Sequence, residues 1–117
     1  MQPAHLTGLS LLIVEDDLLL RKQIAAYLER LGGDVTHAST LQEARNLAGE
    51  LSFDFVLLDV NLPDGSGLEL LKAKGLGASQ GVIVMTADGG VGGAVEAMRV
   101  GALDYLVKPF ELAKLPL

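Results

Sequence analysis

The chain has no cysteine among its 117 residues. A chain of this length buries about two-thirds of its unfolded surface and folds without covalent staples, so a disulfide scaffold and any Cys-ligated zinc or iron–sulfur site are excluded. A reducing compartment, the cytoplasm, is the expected location. Basic residues are also scarce: 9 Lys and Arg stand against 15 Asp and Glu, for a net charge of −6. Neutralising nucleic-acid phosphates needs a basic face, which so few scattered cations do not supply, and direct nucleic-acid contact is not expected. The third shortage is of long apolar runs. Mean hydropathy is high at +0.39, yet charge or glycine breaks every apolar stretch well before the roughly 20 residues a membrane helix needs. Residues 1–10 carry no Lys or Arg and no sustained apolar run, so neither a membrane span nor a cleaved signal peptide is expected.

What the chain does have is short, wholly apolar runs at intervals: Leu9 to Val14, Phe55 to Leu58, Val82 to Met85, and Leu103 to Val107 with one Asp inside. Unbroken Val, Ile, Leu and Phe without polar alternation mark strands covered on both faces, hence a central parallel sheet. A weaker strand fits Asp34 to Ala38. Helical spacing fills the intervals. Leu20, Ile24, Tyr27, Leu28 and Leu31 line one face of a first helix whose other face carries Arg21, Lys22, Gln23, Glu29 and Arg30, with Gly32 and Gly33 as its stop. Asp17 reads as its N-cap. Thr40 to Glu43 form a capping box that opens a second helix with Leu41, Ala44, Leu47 and Ala48 inward. Pro63-Asp64-Gly65 is a turn signal. Leu68, Leu70 and Leu71 begin a short third helix that ends by Gly75 and Gly77, a fourth runs from about Val91 to Val100, and a fifth starts near Phe110. Pro116 stands where the fifth helix should continue, so that helix is expected to be cut short. The whole of 1–117 thus reads as one doubly wound α/β domain, a βα unit repeated five times with right-handed crossovers.

In such a sheet, ligands bind beyond the carboxyl ends of the strands. The residues there are Glu15, Asp16 and Asp17; Asp59 and Asn61; Thr86 and Asp88; and Lys108 with Pro109. Carboxylates crowded within about 4 Å repel by roughly 1–4 kcal/mol per pair, so either some take up protons or a cation sits among them. Oxygen ligands without His or Cys point to Mg²⁺ or Mn²⁺. A metal, an ammonium and a hydroxyl suit phosphoryl transfer, which is mostly positioning and charge neutralisation, and Asp59 is the carboxylate placed to act as nucleophile.

These residues, set in Leu11-Leu12-Ile13-Val14-Glu15-Asp16-Asp17, Leu57-Leu58-Asp59-Val60-Asn61-Leu62-Pro63-Asp64-Gly65 and Asp104-Tyr105-Leu106-Val107-Lys108-Pro109-Phe110, closely resemble the receiver domain (CheY-like) of bacterial two-component response regulators. The resemblance implies a flavodoxin-like fold with strand order 2-1-3-4-5. It implies that Asp59 is phosphorylated by a partner histidine kinase. Asp16, Asp59 and the Asn61 backbone carbonyl would hold Mg²⁺, with Glu15 acting through a coordinated water. Thr86 and Lys108 would engage the phosphoryl oxygens, Tyr105 would be an aromatic switch residue, and Lys108–Pro109 would be cis. Asn61 and Asp88 would flank the path of the hydrolytic water and tune slow autodephosphorylation. The surface expected to change is helix four, strand five and helix five, serving a C-terminal output domain, expected to be transcriptional, or a homodimer. The stretch 81–111 is most similar to receivers of nitrogen-regulator-type (NtrC-like) activators, although Gly89-Gly90-Val91-Gly92-Gly93 departs from the polar residues common there. Two competing readings are a degenerate receiver that only dimerises and a small Mg-dependent aspartyl phosphatase. The first should lack Asp59, Thr86 or Lys108, and the second should have an acid where Asn61 stands.

Overall fold

The computed structural model describes residues 5–72, 80–87 and 91–117. Five strands form one parallel sheet: β1 (Ser10–Val14), β2 (Asp34–Ala38), β3 (Phe55–Asp59), β4 (Gly81–Thr86) and β5 (Asp104–Val107). Their order is 2-1-3-4-5, as the resemblance implied. The chain crosses over between them through α1 (Leu18–Arg30), α2 (Leu41–Glu50), α3 (Leu68–Lys72) and α4 (Val91–Arg99).

β1 explains why the strands read as unbroken apolar runs. Leu11 and Ile13 point into a core with Ile24, Ala25 and Leu28 of α1, whereas Leu12 and Val14 point the other way, into a core with Leu41, Ala44 and Ala97. All four β1 side chains are fully buried, and each contributes about 1.5–3 kcal/mol by leaving water. Covered on both faces, the sheet has free only its edges and strand ends, and there the polar residues collect. β3 and β4 each extend to the functional residue itself: Asp59 pairs with Met85 in the ladder, and Thr86 pairs with Val107.

The helix starts follow their caps. Asp17 accepts hydrogen bonds from the N–H groups of Leu19 and Leu20 at 3.0 and 3.3 Å. The Thr40 hydroxyl accepts from Glu43 N–H at 3.1 Å, and the Glu43 carboxylate accepts from Ser39 N–H at 3.1 Å and from the Ser39 hydroxyl at 2.6 Å. The glutamate therefore reaches one residue further back than a simple capping box. Its carboxyl is held below its usual range chiefly by the Ser39 hydroxyl and N–H.

Two expectations are revised. Pro63 and Asp64 do form the tip of a small antiparallel ladder, Asn61–Leu62 against Gly65–Ser66. Asp64 does more than turn the chain, because its two carboxylate oxygens accept from Leu41 N–H at 2.7 Å and Gln42 N–H at 3.0 Å, capping α2. The expected fifth helix is a single 3₁₀ turn, Leu112–Lys114, since Pro116 has no N–H to continue a helix and disfavours helical backbone at the residue before it. Gly75 and Gly77, the expected stop of the third helix, lie outside the described residues.

Gly67 is the tightest point of the fold beside the site. A Cβ there would lie 2.0 Å from the Asp59 carbonyl oxygen, a backbone atom that cannot move aside without moving β3. Gly67→Ala is expected to lower stability by about 3 kcal/mol, at the upper end for overpacking; an unchanged urea midpoint would show that the contact relaxes freely. A second outcome concerns acid. The Leu41 and Gln42 N–H groups hold the Asp64 carboxyl below its ordinary value of 3.8, so its stabilisation is complete above that value and lost as pH falls through the lowered folded value. Asp64→Ala should therefore lower stability at pH 7 and weaken its acid dependence below about pH 4; parallel acid limbs in denaturation of the two proteins would contradict this.

Candidate functional site

The carboxyl ends of β1, β3 and β4 and the residue after β5 meet at one edge of the sheet. Glu15, just beyond β1, is fully buried and bonded at every polar atom. Its N–H donates to the Ala38 carbonyl at 3.0 Å, and its carbonyl accepts from Arg21 Nη1 at 2.7 Å. One carboxylate oxygen accepts from Asp17 N–H at 3.0 Å and the other from Lys108 Nζ at 2.5 Å. Asp59, only 3% exposed, accepts from Asn61 N–H at 3.1 Å on Oδ1 and from Lys108 Nζ at 3.0 Å on Oδ2. Asp16 is exposed, yet a ligand oxygen from each of Glu15, Asp16 and Asp59 lies within 4.8 Å of the other two.

Lys108 holds this group together. Its backbone N–H donates to the Thr86 carbonyl at 2.7 Å, fixing the start of the loop after β5 to the end of β4. Its peptide bond to Pro109 is cis, as the resemblance implied. Burial works against the charged ammonium, but the hydrogen bonds it donates to Glu15 and Asp59 and the charges of those two acids outweigh it, and the pKa is raised above 10.5. Lys108 is therefore a cation throughout the neutral range, one positive charge among three carboxylates. Carboxylate oxygens accept more than one bond, so each of the three acids keeps capacity for a further ligand. Hard oxygen donors at this spacing, with one member open to solvent, fit a divalent cation.

Thr86, 2% exposed, borders a second feature. With Val60, Asn61, Leu68, Gly93 and Tyr105 it lines a cavity of about 160 Å³ between the acidic edge and α4. Tyr105 is half-buried in β5, and a Cβ added at Gly93 would lie 3.0 Å from its hydroxyl. The sequence-derived set is thus divided in two. Glu15, Asp16, Asp59 and Lys108 form the pocket, Asn61 borders both pocket and cavity, and Thr86 links the pocket through its backbone to the cavity where Tyr105 sits. Asp88 lies outside the described residues. Sequence reasoning placed Arg21 on the solvated face of the first helix and overlooked its bond to Glu15; a cation one turn inside a helix that follows paired acids was the available signal.

Residues 11–116 match the family model for the response regulator receiver domain. The swarming motility regulation protein RssB of Serratia marcescens is 37% identical over 108 residues, 92% of this chain and 49% of that protein. The response regulator protein PilR of Pseudomonas aeruginosa is 38% identical over 105 residues, 89% of this chain and 24% of that protein. The chain thus spans half or less of the length of these relatives. A response regulator from Burkholderia pseudomallei, solved with a phosphorylated aspartic acid, calcium ion and citrate, superposes with a TM-score of 0.84 at 32% identity, over 91% of this chain and 63% of that one.

Crowding three carboxylates around one ammonium costs stability, and relieving it should show. Asp16→Asn removes one charge at an exposed position and is expected to stabilise the metal-free protein by about 1 kcal/mol, the repulsion of one pair at 4 Å in water. Urea denaturation in the presence of a chelator reads this directly, and a destabilised variant would mean the three acids do not repel as their spacing implies.

Proposed function

The chain belongs to the response regulator receiver domain family, and from that membership we propose that the Asp59 carboxylate accepts a phosphoryl group from the phosphohistidine of a partner histidine kinase. The observation that carries this reading is the setting of Asp59: nearly buried, bonded to Lys108 and grouped with Glu15 and Asp16. An Asp59 oxygen attacks phosphorus as the P–N bond breaks; the electron pair of that bond returns to the imidazole, and the product is an acyl phosphate.

Each neighbour has a task in that step. The Asn61 N–H orients the Asp59 carboxylate. Lys108, now shared between Asp59 and Glu15, is close enough to neutralise charge on the incoming phosphoryl oxygens, a stabilisation strengthened by the low exposure of the pocket. Thr86, at the neighbouring strand end, supplies a hydroxyl donor. Glu15, Asp16 and Asp59 would hold Mg²⁺, or Mn²⁺ in its place, together with Asn61. When bound, that ion supplies compact positive charge against the phosphoryl oxygens. Tyr105 and the cavity beside it serve as the element that responds, and Asp88 with Asn61 tunes slow hydrolysis of the acyl phosphate.

The output surface is α4, β5 and the 3₁₀ turn that stands in place of a fifth helix; Val95 and Met98 on α4, Leu103 just before β5 and Val107 in it are between 41% and 56% exposed. Exposed apolar side chains on these elements suit a second copy of the chain or an output domain C-terminal to this segment, which we take to be transcriptional. The receiver itself, with its net charge of −6, leaves contact with nucleic acid to that domain. Among the described residues no helix is long and apolar enough to cross a membrane, in keeping with a cytoplasmic site of action.

Incubation with Mg²⁺ and acetyl phosphate should add the mass of one phosphoryl group to the intact protein. The addition should disappear in Asp59→Ala and on chelation of the metal. No gain in the wild type, or a gain that survives in Asp59→Ala, would overturn the reading.

A further inference from the structure

Arg21 sits one turn into α1 and takes no part in the chemistry above. Its Nη1 donates a 2.7 Å hydrogen bond to the Glu15 carbonyl oxygen, the oxygen of the peptide that joins Glu15 to Asp16. That carbonyl falls between the end of β1 and the start of α1, where neither the sheet nor the helix ladder supplies a donor. A part-buried carbonyl needs one. The side chain of Glu15 is fixed by Asp17 N–H and Lys108, and the orientation of the Glu15–Asp16 peptide plane is set by the bond that its carbonyl accepts from Arg21. Asp16, exposed, is mounted on that plane, and its carboxylate completes the triad of acids.

We propose that Arg21 is a positioning residue for the cation pocket: its bond to the Glu15 carbonyl fixes the Glu15–Asp16 peptide plane and so holds Asp16 beside Glu15 and Asp59. The proposal rests on the reading that this pocket holds a divalent cation. A guanidinium acts here in two opposing ways. As a nearby positive charge it repels a metal ion, so its removal should tighten binding; as a clamp it aligns a ligand, so its removal should weaken binding. The proposal is that the clamp dominates.

The opposite signs make the test decisive. Mn²⁺, whose free form is read by its electron paramagnetic resonance signal, is titrated into the wild type, Arg21→Met and Arg21→Lys, and each urea midpoint is measured. Arg21→Met keeps the aliphatic stem but neither charge nor donor, and it should bind Mn²⁺ about 10-fold more weakly, as loss of an outer partner of a metal ligand typically does. Arg21→Lys, which keeps an N–H donor, should recover part of that loss. Unchanged or tighter binding in Arg21→Met overturns the proposal. Weakening in both variants in proportion to their lowered urea midpoints also overturns it, since that marks a purely structural role. Should Arg21→Met not fold, Arg21→Leu, which also lacks charge and donor, is judged by the same outcomes. If the wild type binds no Mn²⁺, the reading of the pocket fails and this inference with it, whereas binding by the wild type that Arg21→Met leaves intact sinks the inference alone.

Discussion

Repulsion among Glu15, Asp16 and Asp59 is the constraint around which the rest of the structure is arranged. Their ligand oxygens lie within 4.8 Å of one another, and two of the three are buried, where water screens poorly. Each pair opposes folding by about 1 kcal/mol at the dielectric of water and several times that in a protein interior. Two features hold them in place. Glu15 and Asp59 stand at the ends of adjacent strands locked into one parallel ladder. They are also met by fixed donors, the N–H groups of Asp17 and Asn61 and the Lys108 ammonium. The high mean hydropathy has its explanation here. A sheet sealed on both faces by apolar side chains gains enough from burial to tolerate an edge that would not form by itself.

The strands and the pocket residues were legible in the sequence because their signals are local. β1 is a run of apolar residues ending in acids, so both its burial and its ligand-bearing end can be read from consecutive positions. Asp59, Thr86 and Lys108 follow the same pattern at β3, β4 and β5. What was not legible depends on which distant atoms meet. Asp64 sits in an obvious turn, but its bonds to Leu41 and Gln42 cross more than 20 positions of chain, and nothing beside Asp64 in sequence indicates them. Gly67 looks like a flexible turn residue and is in fact required by the approach of the Asp59 carbonyl. Arg21 fits the amphipathic pattern of α1 so well that its carbonyl partner leaves no trace in the pattern. The fifth helix shows the opposite failure. Leu112, Leu115 and Leu117 still pack onto the α1 side of the sheet, so an apolar signal is present without a helix to carry it.

The same arrangement joins the pocket to the α4 side of the sheet through β5. β5 runs from the pocket to the exposed apolar face: Lys108 contacts the carboxylates at one end, Tyr105 lines the cavity in its middle, and Leu103, which precedes it, is exposed. Thr86 ties the two together, because its carbonyl holds the Lys108 N–H while the residue also borders the cavity. On the proposed reading a phosphoryl group at Asp59 must reverse an equilibrium, and turning a 1:99 ratio into 99:1 takes about 5.5 kcal/mol. The α4 side cannot supply it. Its Lys72–Glu96 pair is largely exposed, where an ion pair contributes little, and Gly92 and Gly93 lower helix propensity. The pocket is the better source: hydrogen bonds to charged groups contribute about 1.5–3 kcal/mol each, and a phosphoryl group at Asp59 would let Lys108 exchange its present bond to the Asp59 carboxylate for one to a more highly charged group, with Thr86 turning its hydroxyl to the same oxygens. On that reading the driving energy resides at the acidic edge and the responding element is α4, where Gly93 leaves room for the Tyr105 hydroxyl, whereas Gly67 is required beside Asp59 by the approach of the Asp59 carbonyl.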